Sequence, residues 1–223
     1  MQKNEVAIII PCFNEEFTIL KIFKNTKQYG RVLIINDCSS DGTQKLLLKN
    51  KIKFLENKKN FGYEKSIIIG IKYILKYWKN AKVIVTVDAD GELLPKYIPV
   101  LLNKLVKNNL DIIVGSRSKV NRFSEFILKL IFNLKFNIND PISGLKIYKL
   151  NVLKKITNLI STKLFLVDIL IISYYCNFVI DSFNITASKR KGKPRVGNSF
   201  LVNIKILNII FNTLFSKKFK KLI

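Results

Sequence analysis

Short apolar runs alternate with stretches of helical periodicity along the first half of the chain. The runs are apolar at successive positions, as expected of strands that are covered on both faces. Alternation at this spacing predicts βαβ units and an α/β fold with a mainly parallel central sheet flanked by helices. The predicted strands are 6–10, 32–35, 52–55, 83–87 and 112–114, and the predicted helices begin at Glu15, Asp41, Tyr63 and Pro95.

Polar clusters follow four of the predicted strands. In open α/β sheets, ligands bind at the edge formed by the carboxyl ends of the strands. Clusters that are distant in sequence are therefore expected to meet in one site. They comprise residues 11–15, 36–42, 88–92 and 115–117.

Three carboxylates follow the apolar strand 83–87 within five residues: Asp88, Asp90 and Glu92. Like charges this close repel unless a cation neutralises them, so the turn predicts a bound Mg²⁺ or Mn²⁺. Such an ion would offset the charge of a diphosphate and stabilise it as a leaving group. A solvated acidic turn is the alternative interpretation.

Asp37 ends the second strand, where its carboxylate can accept hydrogen bonds from a base or a ribose. Capping of the following helix is the alternative. The other familiar nucleotide motifs are missing, because no G-x-G-x-x-G follows the first strand and the fragment at 62–66 lacks the glycine before the lysine of a phosphate loop.

The pattern changes beyond Arg117, although no linker or repeat divides the chain. Residues 121–136 read as an amphipathic basic helix, 140–144 as a turn and 145–148 as a further strand, and the apolar stretch 164–180 predicts a buried helix. We expect one fold with a soft boundary near residue 120, which separates residues 1–120 from residues 121–198. The amphipathic basic tail 199–223 is either a membrane-surface anchor or a helix packed on protein.

The excess of basic residues limits the kinds of partner that we expect for this protein. Lys and Arg total 39 against 15 Asp and Glu, and the resulting net charge of +24 favours phosphates, nucleic acid or anionic lipid surfaces. The basic residues do not alternate with aromatic residues as in RNA-binding proteins, so nucleic acid is not an expected partner. The chain has no histidine, so a metal must be a hard cation on oxygen ligands and a general base must be a carboxylate.

Three widely spaced cysteines fit neither a disulfide framework nor a zinc site, and the apolar strand at the start leaves no room for a signal peptide. These features predict a cytoplasmic protein at the inner face of the cell membrane. The oligomeric state is left open.

Seven ordered motifs between residues 5 and 197 give the chain a specific resemblance. It resembles the family 2 glycosyltransferases with the GT-A fold, and within them the branch of dolichyl-phosphate mannose synthase and bacterial polyprenyl-phosphate sugar transferases. One departure is Cys38, where relatives carry glycine. The motifs are PCFNEE, LIINDCSSDGT, NKKNFGYEKSIIIGI, VIVTVDADGELLPKYIPVLL, DIIVGSR, DPISGLKIYK and RKGKPR.

The resemblance implies that residues 1–120 bind the nucleotide sugar and residues 121–198 the acceptor, and it implies a role for each matched position. Asp90 and Glu92 would bind the metal, Arg117 would face phosphate or sugar, and Arg195 would meet a phosphate from a mobile loop shared with Arg190 and Lys193. The nucleotide-binding positions would be Pro11, Phe13, Glu15, Asp37, Asp88, Ala89 and Arg117.

These expectations define a metal-dependent inverting glycosyltransferase that moves a sugar, in the simplest case a hexose, from a nucleoside-diphosphate sugar to a polyprenyl phosphate. The catalytic candidates are Asp90, Asp140, Arg117 and Arg195. Asp140 is the candidate base if the acceptor is instead a glycan hydroxyl, whereas an acceptor phosphate needs no base; a plain turn-forming aspartate is the other interpretation. A catalytically silent module that binds nucleotide sugars or anionic surfaces is the alternative of another class.

Overall fold

The computed structural model describes residues 1–117, 123–157 and 165–188. The strands form one seven-stranded sheet in the order β3-β2-β1-β4-β6-β5-β7. They are β1 (Val6–Cys12), β2 (Arg31–Asn36), β3 (Phe54–Glu56), β4 (Val83–Thr86), β5 (Ile112–Arg117), β6 (Lys146–Lys149) and β7 (Ile180–Ile185). The helices are α1 (Ile19–Thr26), α2 (Thr43–Lys49), α3 (Tyr63–Tyr77), α4 (Ile98–Lys107), α5 (Phe123–Phe136), α6 (Leu150–Ile156) and α7 (Phe165–Tyr175).

The five strands predicted in the first half are confirmed as β1 to β5. All pairings among β1, β2, β3 and β4 are parallel. The first helix begins at Ile19 and not at the predicted Glu15, because Glu15 starts a turn in which its carbonyl accepts hydrogen bonds from Thr18 N–H (3.1 Å) and Ile19 N–H (2.9 Å).

The predicted strand at 145–148 is confirmed as β6, and it runs antiparallel to both of its neighbours, β4 and β5. Because of this direction, the start of β6 lies at the same edge of the sheet as the carboxyl ends of β4 and β5. The turn at 140–144 is thereby brought to the edge where the polar clusters meet.

The stretch 164–180 is not one helix. The helix α7 ends at Tyr175, and the chain returns to the sheet as β7, which pairs in parallel with β5. Asn177 lies between them with a φ of 58°, a left-handed conformation that Asn tolerates better than most residues. Within the described ranges, no helix is both long enough and apolar enough to cross a membrane.

The sheet separates two layers of core. Helices α1, α2 and α4 cover one face, and α3, α5, α6 and α7 cover the other. The residues of β1 and β4 are all buried, as their continuous apolar runs predict, whereas the outer strands β3 and β7 are only partly buried.

Cys38 follows β2 in a left-handed conformation, with a φ of 60°. An L-residue with a side chain costs roughly 1–2 kcal/mol there, whereas glycine is unstrained. We expect Cys38→Gly to keep or slightly raise the free energy of unfolding and Cys38→Val to lower it by about 1 kcal/mol or more, because a β-branched side chain fits this conformation worst. Urea unfolding of both variants measures the difference, and equal stabilities would contradict this account of the turn.

Candidate active site

The polar clusters do meet at one edge of the sheet. The strands β1, β2, β4 and β5 end there, and β6 begins there. Each of these strands thus carries a different polar residue to the same edge.

Asp37 is fixed by the segment that precedes α3. Its carboxylate accepts hydrogen bonds from Asn57 Nδ2 (2.7 Å), Phe61 N–H (2.9 Å) and Gly62 N–H (2.8 Å). Gly62 has a φ of 89°, which glycine adopts readily. Asp37 is 3% exposed, so it also determines the course of the loop that leads to Tyr63.

Asp88 lies between α3 and the turn before β6. Its Oδ1 accepts a hydrogen bond from Tyr63 Oη at 2.5 Å. The Cα atom of Gly144 packs so closely on the carboxylate that a Cβ atom there would overlap both oxygens. Burial, and next the negative charge of Asp90, raise the pKa of Asp88 to about 6. The Asp88 carboxylate is therefore held from two sides, close to a second carboxylate.

The turn after β4 also positions Asp90 and Glu92. Asp90 Oδ1 accepts a hydrogen bond from Glu92 N–H (2.9 Å), which closes the turn around Gly91. The Glu92 carboxylate is directed at Arg117, with Oε1 3.4 Å from the guanidinium Nη1. The Glu92 carboxylate is thus paired with the Arg117 guanidinium.

Arg117 and Asp140 form a buried ion pair with two hydrogen bonds, Nε to Oδ2 (2.8 Å) and Nη2 to Oδ1 (3.2 Å). The main-chain N–H of Arg117 also donates to Oδ2 (3.1 Å). The Asp140 side chain is 1% exposed. Burial opposes the charge of Arg117, but the hydrogen bonds and charge of Asp140 outweigh it and raise the pKa of Arg117 above its ordinary value.

The remaining predicted nucleotide-binding positions line the end of β1 and the turn after β4. Pro11 is buried in β1, and Phe13 and Glu15 follow it. Glu15 is fixed, because its N–H donates to Thr43 Oγ1 and its carboxylate accepts from Thr18 Oγ1, both at 2.8 Å. Ala89 is buried in the core beneath its turn.

Arg190, Lys193 and Arg195 lie outside the described residues. Ser188, the last residue described, donates its N–H to the carbonyl of Glu92 at 2.9 Å. The chain therefore leaves the described part beside the acidic turn.

The family model for glycosyl transferase family 2 matches residues 7–163 of the chain. The chain belongs to glycosyl transferase family 2. An uncharacterized protein of Methanocaldococcus jannaschii is 34% identical to it over 166 residues, which cover 66% of this chain and 72% of the relative. The UDP-N-acetylglucosamine–dolichyl-phosphate N-acetylglucosaminyltransferase of Methanococcus voltae is 26% identical, and the match covers 73% of this chain and 76% of that enzyme.

Solved structures confirm the GT-A fold of this glycosyltransferase. Glucosyl-3-phosphoglycerate synthase from Mycobacterium tuberculosis, in complex with Mn²⁺, UDP and phosphoglyceric acid, superposes with a TM-score of 0.72. The superposition covers 96% of this chain and 78% of that one at 13% sequence identity, so it speaks for the fold alone.

Sequence reasoning missed a buried polar network behind the family 2 site. Lys146 is fully buried in β6, donates to the carbonyl of Ser143, and has a pKa lowered by burial to about 8. Glu64 accepts a hydrogen bond from Leu166 N–H (2.9 Å), and burial raises its pKa to about 7. The one available signal was a lysine inside the otherwise apolar strand at 145–148.

Proposed function

We propose that this glycosyltransferase moves a sugar, with inversion, from a nucleoside-diphosphate sugar to a polyprenyl phosphate. The observation that carries the proposal is the meeting of Asp88, Asp90 and Arg117 at the edge where family 2 motifs converge. An acceptor phosphate oxygen forms a bond to the anomeric carbon, the bond from that carbon to the diphosphate breaks, and the nucleoside diphosphate leaves.

A divalent cation suits the carboxylates of the turn after β4. Among the residues with described structure, no three Asp, Glu or Cys side chains meet closely enough to hold an ion alone. An ion that bridges a diphosphate needs only one or two protein carboxylates, because phosphate oxygens complete its coordination shell. The repulsion between Asp88 and Asp90 is what such an ion would relieve. When bound, it would stabilise the negative charge of the leaving diphosphate.

In this proposal Asp90 is the principal metal ligand, and Asp88 supports it from its fixed position against Tyr63 and Gly144. The predicted second ligand, Glu92, would have to turn from Arg117 to reach the ion. Glucosyl-3-phosphoglycerate synthase has been solved with Mn²⁺ and UDP-glucose, which supports Mn²⁺ or Mg²⁺ with a nucleotide sugar as ligands here.

The hydrogen bonds between Asp140 and Arg117 favour a phosphate acceptor over a hydroxyl acceptor. A hydroxyl acceptor needs a base, and Asp140 is the predicted one, but both of its oxygens are hydrogen bonded to Arg117. An acceptor phosphate is already an anion and needs no base. We therefore assign Asp140 the role of holding the Arg117 guanidinium toward the phosphates, and the dolichyl-phosphate enzyme among the relatives agrees with such an acceptor.

A donor and acceptor screen tests the proposal. Purified protein is incubated with UDP- or GDP-sugars and Mn²⁺ or Mg²⁺, together with a short-chain polyprenyl phosphate or the corresponding alcohol. We expect a lipid-phosphate sugar from one donor, and only with metal. A product with the alcohol or a glycan alone would support the hydroxyl alternative, and donor binding without any product would support the silent module.

Asp90→Asn should reduce metal-dependent nucleotide binding at least about 100-fold, because the amide keeps the size of the side chain but loses its charge. Isothermal titration with UDP or GDP, with and without Mn²⁺, measures the effect. The matched control is Asp111→Asn. Asp111 pairs with Lys149, with 3.3 Å between Oδ1 and Nζ, at the end of β5 and β6 opposite to the candidate site. This variant should bind the nucleotide with normal affinity. Unchanged affinity in Asp90→Asn would refute the assignment of the ligand.

A further inference from the structure

Lys146 places a cation in the interior of the protein. It is the first residue of β6, the strand between β4 and β5, and it is 0% exposed. A buried ammonium group costs free energy unless opposite charges and hydrogen bonds compensate for the lost water. An apolar side chain would be less costly at this position if β6 served only to pack the core. The proposed transfer step does not use Lys146 either.

Three carboxylates from different parts of the chain compensate for the charge of Lys146. Asp140 precedes β6, Glu64 lies in the first turn of α3, and Asp88 follows β4. Burial lowers the pKa of Lys146 to about 8, and Arg117 acts in the same direction, whereas the three carboxylates oppose this fall. The ammonium group is therefore mostly protonated at pH 7.

Lys146 also binds the turn that precedes its own strand. Its ammonium group donates a hydrogen bond to the main-chain carbonyl of Ser143. The next carbonyl, that of Gly144, accepts a hydrogen bond from Thr86 Oγ1 in β4 (2.7 Å), and Ser143 Oγ donates to the carbonyl of Gly115 in β5 (2.5 Å). The turn is thus joined to β4, β5 and β6, and Lys146 supplies the charged one of these three hydrogen bonds.

Two groups of the candidate site depend on where this turn lies. Asp140 at its start pairs with Arg117, and Gly144 at its end packs on the Asp88 carboxylate. Lys146 holds the turn between these two points. A displaced turn would move both the guanidinium that is proposed to face the phosphates and the first carboxylate after β4.

We propose that Lys146 is a positioning residue of this transferase. It holds the turn before β6 and offsets the carboxylates around that turn, so that Arg117 and Asp88 stay where they can meet the nucleoside diphosphate. Because Lys146 is fully buried, it acts through these residues and not by contact with the donor. The inference rests on the proposed function, since a nucleoside diphosphate is the proposed ligand.

Lys146→Met tests the role in binding, because it removes the charge and the donor but keeps a long side chain. Affinity for UDP or GDP, titrated with Mg²⁺, should fall at least about tenfold. Lys146→Arg retains a cationic donor and should recover most of this loss. The matched control is Lys149→Met, three residues later in β6, whose pair with Asp111 lies at the other end of the strand, so affinity should stay within about twofold. Unchanged affinity in Lys146→Met, or an Arg variant that binds no better than the Met variant, would overturn the proposal.

Amide hydrogen exchange separates positioning from a general loss of stability, and it needs no nucleotide. The N–H groups of Arg117 and Leu145 both donate to side chains of the turn. In Lys146→Met both should exchange at least about tenfold faster. The N–H of Gly62, held by the Asp37 carboxylate after β2, should exchange as in the wild type.

The same exchange rates distinguish this inference from the proposed function. Equal acceleration of all three amides would mean that Lys146 only stabilises the fold, and unchanged rates would mean that it does not hold the turn; either result overturns the positioning role. An unmodified protein that binds neither UDP nor GDP would count against the proposed function, whereas faster exchange confined to Arg117 and Leu145 would still support the hold of Lys146 on the turn.

Discussion

Replacing Arg117 by Met should lower the free energy of unfolding by about 3–5 kcal/mol, because the variant leaves the Asp140 carboxylate buried without its partner. Transfer should fall by at least about 100-fold as well, since the guanidinium is proposed to stabilise the phosphates. Urea unfolding and initial transfer rates measure the two effects separately. The matched control is Lys149→Met, which breaks the more exposed pair with Asp111 and should cost less than about 1 kcal/mol.

The double variant Arg117→Met, Asp140→Asn distinguishes the two roles of the pair. Neutral Asn removes the buried charge that destabilises the single variant, so we expect most of the stability to return. Transfer should stay lost, because no guanidinium faces the phosphates. A single variant that is nearly as stable as the wild type would show that the pair contributes little to the fold. Recovery of transfer in the double variant would contradict the proposed role of Arg117.

The sheet was largely predictable because β1, β4 and the second half of β2 are buried on both faces. Runs such as Ile8-Ile9-Ile10 and Val83-Ile84-Val85 leave no polar face that could meet water. The carboxyl ends of these strands were therefore predictable too, and with them the positions of Asp37 and Asp88.

The direction of β6 and the existence of β7 could not be predicted in the same way. The direction of a strand depends on its neighbours in space, and β6 pairs with β4 about 60 residues earlier in sequence. In β7 the sequence Ile180-Asp181-Ser182-Phe183-Asn184-Ile185 is only partly buried, so it follows an apolar helix without a strong signal of its own.

The charged residues of the candidate site could be predicted from the sequence, but the contacts that hold them in place could not. Asp37 and Arg117 were expected at strand ends, and the structure places them there. Their partners come from loops, as with Phe61 N–H on Asp37, or from a distant turn, as with Gly144 on Asp88. Periodicity specifies helices and strands, whereas such contacts depend on loop geometry that it does not describe.

Gly144→Ala should weaken nucleotide binding about 100-fold, although Gly144 carries no functional group. The added Cβ atom would overlap the Asp88 carboxylate, which Tyr63 Oη restrains on its other side at 2.5 Å. Either the carboxylate moves out of the proposed donor site or the turn before β6 shifts, and the free energy of unfolding should fall by about 1–3 kcal/mol. Titration with the nucleoside diphosphate in the presence of Mn²⁺ measures the binding.

Gly42→Ala is the matched control for this steric effect. A Cβ atom at Gly42 would approach only Glu16 Oε2, the end of a flexible side chain that can turn away, so binding should stay within about threefold of the wild type. If Gly144→Ala binds nucleotide as Gly42→Ala does, close packing at Gly144 does not position Asp88. If it binds weakly and transfers slowly, a backbone atom with no chemistry of its own determines where the first carboxylate of the turn stands.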